Sequence, residues 1–144
     1  MTDQSILPRL PMTKAIQTLL ATESGKPVGV AAIPRIPVPG GPDGALVQAV
    51  APYYILEPLW SITSGPIWST PDADADWVYQ VSWSGKNGTQ DEWLRDKVLQ
   101  VMLSRTNGAF TYPLEVDGIS VMDRGLKEDA GTVLRFVVSV TPVS

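Results

Sequence analysis

The chain has 144 residues, a hydrophobic fraction of 44% and a net charge of −4, which is typical of one globular domain with its own core. It contains no Cys and no His. This excludes disulfide frameworks, thiolate metal sites and hydrolases of the Ser-His-Asp or Cys-His type, although an all-carboxylate site stays open.

Residues 1–10 show neither a helix cap nor a hydrophobic period, which is typical of an extended N-terminal arm. The first five residues lack the basic start and apolar block of a signal peptide. No run approaches the roughly 18 apolar residues of a membrane span. We therefore expect synthesis in a cytoplasm and no membrane partner.

A helix is predicted from Pro11, because apolar residues recur at helical spacing up to Gly25 and Pro27, which end it. The stripe comprises Met12, Ala15, Ile16, Leu19 and Leu20. The short, apolar, β-branched segment 28–33 that follows predicts a strand.

The segment 34–49 is predicted to be a long loop after this first strand. Four Pro and three Gly within residues 34–44 argue against regular structure. Its apolar residues are Ile36, Val38, Leu46 and Val47. A stiff loop with apolar tips exceeds what a connection needs, so we favour a contact element for another subunit over a passive loop.

Residues 52–62 predict a second strand, in which Pro58 marks a bulge or an edge. A loop rich in Pro, Ser and Asp follows. Trp60 and Trp68 lie at or beyond the strand end, and Trp is enriched at partner surfaces. They are therefore candidates for a partner surface, with burial under the loop as the alternative.

Residues 76–84 alternate, which predicts a strand with Trp77, Tyr79, Val81 and Trp83 on one face and Val78, Gln80, Ser82 and Ser84 on the other. After a polar turn, Thr89 and Glu92 have the spacing of a capping box at a helix start. The core stripe of this second helix is predicted to be Trp93, Leu94, Val98, Val101 and Met102.

Asp117-Gly118 between two apolar segments predicts a β-hairpin, and residues 133–140 alternate as a last strand. The predicted fold is a single α+β domain. Its mostly antiparallel β-sheet carries two α-helices packed on one face and a long Pro/Gly-rich loop after the first strand.

No pattern indicates a catalytic, cofactor or metal site. Asp72, Asp74 and Asp76 have the alternating spacing of a calcium loop but lack its glycine and distal glutamate, so we interpret them as a solvated turn. The glycine pairs at 40–41 and 85–88 lack the full spacing and the Lys-Ser/Thr of a phosphate loop.

Beyond these patterns, the chain resembles the tail terminator (tail completion) proteins of long-tailed double-stranded DNA phages, most of all those of actinobacteriophages. The similarity covers about residues 10–141. It consists of the element order and a few phrases: Ala51-Pro-Tyr-Tyr-Ile-Leu, Asp76-Trp-Val-Tyr-Gln-Val-Ser-Trp-Ser-Gly, and Asp117-Gly before a strand.

The resemblance implies a structural virion protein in the neck region of the phage tail, not an enzyme and without a cofactor. Such proteins form a ring, here expected to be a homo-hexamer, that caps the tail tube and ends its polymerisation. The ring joins the tail to the head connector, and its partners would be the major tail tube protein and the head-completion or stopper protein. DNA would pass through the lumen without specific binding, which suits an acidic chain. The subunit-interface or lumen residues implied on this chain are Arg35, Ile36, Val38, Asp43, Leu46, Glu115 and Asp117.

Three alternatives stay open. Another neck component, such as a head-completion or stopper protein, fits the size but fits the α+β layout less well. A small non-enzymatic binding module with the Pro-rich loop as its ligand arm would be a monomer. An enzyme is the third class and would need an all-carboxylate site.

Overall fold

Two helices pack against one face of a six-stranded sheet in the computed structural model, which describes residues 9–59 and 75–143. Helix α1 spans Leu10–Ser24 and helix α2 spans Gly88–Leu103. The strands, in chain order, are β1 Val28–Val30, β2 Arg35–Pro37, β3 Leu46–Gln48, β4 Tyr53–Leu59, β5 Ala75–Ser84, β6 Arg105–Thr106, β7 Ala109–Phe110, β8 Glu115–Val116, β9 Ile119–Asp129 and β10 Val133–Pro142. The predicted α+β class is confirmed.

The main sheet has the strand order β1-β4-β5-β10-β9-β8. Every pairing in it is antiparallel except that of β1 with β4, which is parallel. Strands β2 and β3 form one separate hairpin, and β6 and β7 form another. Helix α1 contacts both β1 and β8, the two outermost strands, so the sheet curls around this helix.

The core lies between the helices and the alternating faces of β5 and β10. The aromatic residues of β5 that the sequence places on one face are all buried, as are the matching residues of β10. In register, Tyr79 lies opposite Phe136 and Trp77 lies opposite Val138. Period-two alternation therefore predicted the buried face correctly.

Helix α1 carries a proline in its first turn and ends at Gly25, whose φ of 70° lets the chain leave in a left-handed conformation. Its buried apolar residues are Met12, Ile16 and Leu20. Neither α1 nor α2 is long and apolar enough to cross a bilayer, and no other helix occurs in residues 9–59 and 75–143.

Helix α2 begins two residues earlier than the predicted capping box requires. Its N-cap is Asn87, whose side-chain oxygen accepts a 2.9 Å hydrogen bond from the Gln90 N–H. The Gln90 side chain accepts in turn from the Lys86 N–H at 2.7 Å. The expected cap at Thr89 is wrong, because Thr89 already lies inside the helix.

Two strands differ from the expected bounds. The first strand ends at Val30, because Ala31 adopts a positive φ of 57° that turns the chain away from the sheet. Pro58 lies beyond Leu56, the last residue of β4 that pairs with β1. On the edge of β4 next to β1, Pro58 therefore has no strand partner among the described residues. The N–H that proline lacks would not have formed a ladder bond there.

Candidate functional site

The hairpin of β2 and β3, here called the arm (residues 35–48), leaves the sheet where β1 ends. A side chain at Gly29 would clash with the carbonyl oxygen of Ala32, so the backbone folds closely over this glycine. The base of the arm is closed by a 2.8 Å hydrogen bond from the Ala49 N–H to the Pro34 carbonyl, and both residues are buried. The arm therefore has a fixed root and leaves the sheet at its β1 edge.

The sequence-based prediction that residues 34–44 have no regular structure is wrong, because three residue pairs form an antiparallel ladder. Hydrogen bonds join Ala49 N–H to Pro34 O and Val38 N–H to Ala45 O. These bonds lie two residues before and two residues after the pair Ile36–Val47. Since bonded and non-bonded pairs alternate, Pro37 occupies a non-bonded position. Its missing N–H therefore removes no ladder bond.

The arm exposes an apolar surface. Leu46 is 49% exposed, Val47 is 43% exposed and Val50, just after the arm, is 78% exposed. Ile36 and Val38 are half-buried within the hairpin. Strands β2 and β3 pair only with each other and do not belong to the six-stranded sheet. The exposed side chains therefore lie outside the main sheet. Such a surface is typical of a contact site for another chain.

Two charges of the arm belong to none of the three ion pairs found in residues 9–59 and 75–143. The Arg35 guanidinium donates to the Leu46 carbonyl at 3.2 Å, which holds its side chain across the hairpin. Asp43 lies in the exposed turn of the arm. Both are thus free to meet charges of a partner.

The second predicted hairpin is confirmed at residues 115–120, where Glu115 lies opposite Ser120. Asp117 and Gly118 have φ values of 49° and 77°, as a type I′ turn requires. Glu115 and Asp117 are exposed. A 2.7 Å bond from the Val143 N–H to the Gly118 carbonyl fixes the turn to the end of β10.

An apolar groove, here called the α1/β8 groove, runs along α1 beside this turn, has a volume of about 590 Å³ and opens to solvent. One wall is α1 and the other is the hairpin turn. Residues from Pro11 to Thr22 line the helix wall, and Val116 and Asp117 line the strand wall. No sequence pattern indicated this groove, since its two walls are about a hundred residues apart in the chain.

The arm and the groove lie at opposite edges of the sheet. The arm follows β1, the first strand in the spatial order, and the groove borders β8, the last. The predicted interface residues therefore fall into two groups, one at each end of the strand order. Arg35, Ile36, Val38, Asp43 and Leu46 lie on the arm, and Glu115 and Asp117 lie at the other edge.

Trp93 does not belong to the core, contrary to its predicted place in the stripe of α2. Its side chain is 44% exposed and the Lys26 ammonium lies 5.6 Å from the ring centroid. The ring thus adds an exposed aromatic surface close to the start of β1. Trp60 and Trp68, the predicted partner-surface residues, lie outside the described residues.

Arg124 is buried and holds the C-terminal end of α2. Its guanidinium donates to the main-chain carbonyl oxygens of Val101, Met102 and Tyr112. The guanidiniums of Arg105 and Arg124 lie 3.9 and 4.2 Å from the centroid of the Phe110 ring. Burial, and then the charge of Arg105, lowers the pKa of Arg124 to about 10, so this side chain stays charged at neutral pH.

The opposite face of the sheet carries a short polar row. Arg135 donates to Gln80 and to Glu128, both at 3.0 Å. On the same face, Ser139 donates to Asp76 at 2.7 Å. Asp72 and Asp74 lie outside the described residues. In the part of the chain that the structure describes, no group of three acidic side chains is placed to hold a metal ion.

Comparison with known proteins gives no family for this chain: no protein-family model matches it, and no curated protein is significantly similar to it.

Proposed function

We propose that the protein is a structural ring subunit of a phage tail, most like a tail terminator. In this role, six copies cap the finished tail tube, end its polymerisation and join it to the head connector, and DNA passes through the central hole. The mechanism is geometric. One face of the ring fits the last tube ring, and the other offers no surface on which another tube ring can assemble.

The projecting apolar arm is the observation that carries this proposal. Leu46 and Val47 are exposed on a hairpin that is fixed at its root and adds nothing to its own sheet. Such an uncovered apolar surface is typical of a subunit that binds another protein chain. The sequence resemblance supplies the biological context, a tail neck.

The opposite positions of arm and groove favour a ring over a two-fold dimer. A two-fold interface uses the same patch on both subunits, whereas a head-to-tail interface joins two different patches and closes into a ring when the rotation between subunits allows it. The arm and the groove are different patches on different edges. The net charge of −4 agrees with a lumen that lets DNA pass without holding it.

The test compares two matched double variants. L46S/V47S removes exposed apolar surface from the arm, and M122S/L126S removes similar surface from β9, where Met122 is 49% and Leu126 is 40% exposed. Light scattering and electron microscopy of each protein, alone and with the tail tube protein, measure ring formation and capping.

We expect the wild type and M122S/L126S to form six-fold rings, alone or on tube ends, and L46S/V47S to stay monomeric with an unchanged melting temperature. Replacing residues 36–47 by a short Gly/Ser linker should have the same effect as L46S/V47S. Normal rings and complete tails from these arm variants would overturn the role of the arm. A wild-type protein that never caps a tube would overturn the proposed function.

A further inference from the structure

We infer that the α1/β8 groove of one copy is the docking site for the arm of the next copy. The occupant is thus a second molecule of this chain, bound head to tail. The ring itself rests on the proposed function, whereas the docking of arm into groove can be tested separately.

The shapes of arm and groove agree. The groove follows α1 from Pro11 to Thr22, which is about 17 Å at 1.5 Å per residue. At roughly 3.3 Å per extended residue, the paired part of the arm reaches about 10 Å from Arg35 to Val38, and the turn of residues 39–44 lies beyond it. An arm of this length fits within the groove.

The surfaces of arm and groove agree in polarity. Ala15, Leu19 and Val116 line the groove, which is mostly apolar, and the arm exposes Leu46 and Val47. Docking would remove apolar surface from water on both partners, which favours association. It would also cover the uncovered apolar residues of the arm.

The charges are complementary as well. The groove has Lys14 on its helix wall and Asp117 on its turn wall, while the arm carries Arg35 and Asp43. Each wall therefore has an opposite charge available on the arm. None of these four residues takes part in the ion pairs of residues 9–59 and 75–143. Rim charges of this kind fix orientation and register more than affinity.

In this fold the arm does not fill the groove of its own molecule, because β2 pairs only with β3 and the groove opens to solvent. An intermolecular contact leaves one free arm and one free groove on every pair, so a third copy can add in the same way. Repetition of this contact produces a ring when the rotation closes.

The absence of Cys from the chain makes a cross-linking test direct. Thr18 is exposed in the groove and Val47 is exposed on the arm. The variants T18C, V47C and T18C/V47C are treated with a short bis-maleimide reagent, and the products are resolved by denaturing electrophoresis.

We expect the T18C/V47C chain to give a ladder of covalent multimers. A mixture of T18C with V47C should give heterodimers only, since each such pair has one usable junction. Their yield should exceed that of either single variant alone by more than about ten-fold, because docking raises the local concentration of the two thiols. Efficient dimerisation of V47C alone, or no heterodimer from the mixture, would overturn the docking.

Exchange of charges gives a second measurement. Arg35→Glu and Asp117→Lys should each weaken the affinity between copies about five-fold, as expected for a rim ion pair. The double variant restores an opposite pair of charges and should recover most of the lost affinity. No recovery in a protein with an unchanged melting temperature would count against the Arg35–Asp117 contact.

The two proposals fail in different ways. Rings seen by microscopy without cross-linking between positions 18 and 47 would overturn this docking and leave the ring function intact. Cross-linked open chains that never close or cap a tube would support the docking and reject the terminator function.

Discussion

The hydroxyl of Tyr54 donates a 2.8 Å hydrogen bond to the main-chain carbonyl oxygen of Leu94, and both residues are fully buried. This bond joins β4 to the first half of α2 across the core. Tyr54→Phe should lower the free energy of unfolding by about 1 to 2 kcal/mol, because it leaves the buried carbonyl without this donor. Chemical denaturation of both proteins measures the difference. Equal stability would show that the bond adds nothing.

The same residue predicts a loss of stability at alkaline pH. Burial raises the pKa of Tyr54 above its ordinary value of 10.0, so the folded protein keeps the phenol protonated where the unfolded chain ionises it. The stabilisation is therefore complete below pH 10 and decreases as the pH rises above it. The wild type should lose more unfolding free energy than Tyr54→Phe between pH 9 and about pH 11. Parallel pH curves for the two proteins would contradict this assignment.

The two candidate caps of α2 can be separated by one pair of variants. Asn87→Ala should destabilise the protein by about 1 kcal/mol, since it removes the acceptor for the Gln90 N–H. Thr89→Ala should change stability by less than about 0.5 kcal/mol, because Thr89 lies inside the helix. Thermal unfolding of both variants decides between them, and the reverse order would restore the cap that the sequence predicts.

Two tryptophans should respond to truncation in opposite ways. Trp83→Ala creates a cavity in the core and should cost about 3 to 5 kcal/mol. Trp93→Ala removes a side chain that is 44% exposed and should cost less than about 1 kcal/mol. Urea unfolding measures both. A similar large loss for Trp93→Ala would place this ring in the core after all.

Arg124 should matter for folding although its charge has no carboxylate partner within the described residues. Arg124→Met keeps the length of the side chain but removes the donors to three carbonyl oxygens, and should cost about 2 to 3 kcal/mol. Arg105→Met is the control, because the Arg105 side chain is 46% exposed in its ion pair with Asp123 and should contribute at most about 1 kcal/mol. Equal losses in the two variants would show that the carbonyl contacts of Arg124 are not the cause.

The sequence predicted best those features whose cause is local. Alternation along β5 identified its buried face, and Asp117-Gly118 identified a turn, because both depend on neighbouring residues alone. The prediction for Trp93 was wrong, because this residue lies outside the buried arc of α2. At 100° per residue it lies about 140° from the middle of the arc formed by Leu94, Val98 and Met102.

Features that depend on register or on distant segments could not be predicted. The proline count suggested that no ladder forms near Pro37, yet the alternation of bonded pairs leaves that position without need of an N–H. Lys14 and Asp117 both line the α1/β8 groove, and they do so only because the sheet curls around α1. Local periodicity contains no information on such a pairing.

The position of β10 has a consequence for the order of folding. This strand comes last among those described, yet it lies between β5 and β9. One edge of β5 stays unpaired until β10, roughly fifty residues further along the chain, can bind it. Closing so long a loop is slow. Until then β5 presents an unpaired edge rich in Trp and Tyr, which is a hazard for aggregation. Truncation before Val133 should therefore yield an insoluble chain in place of a smaller folded domain.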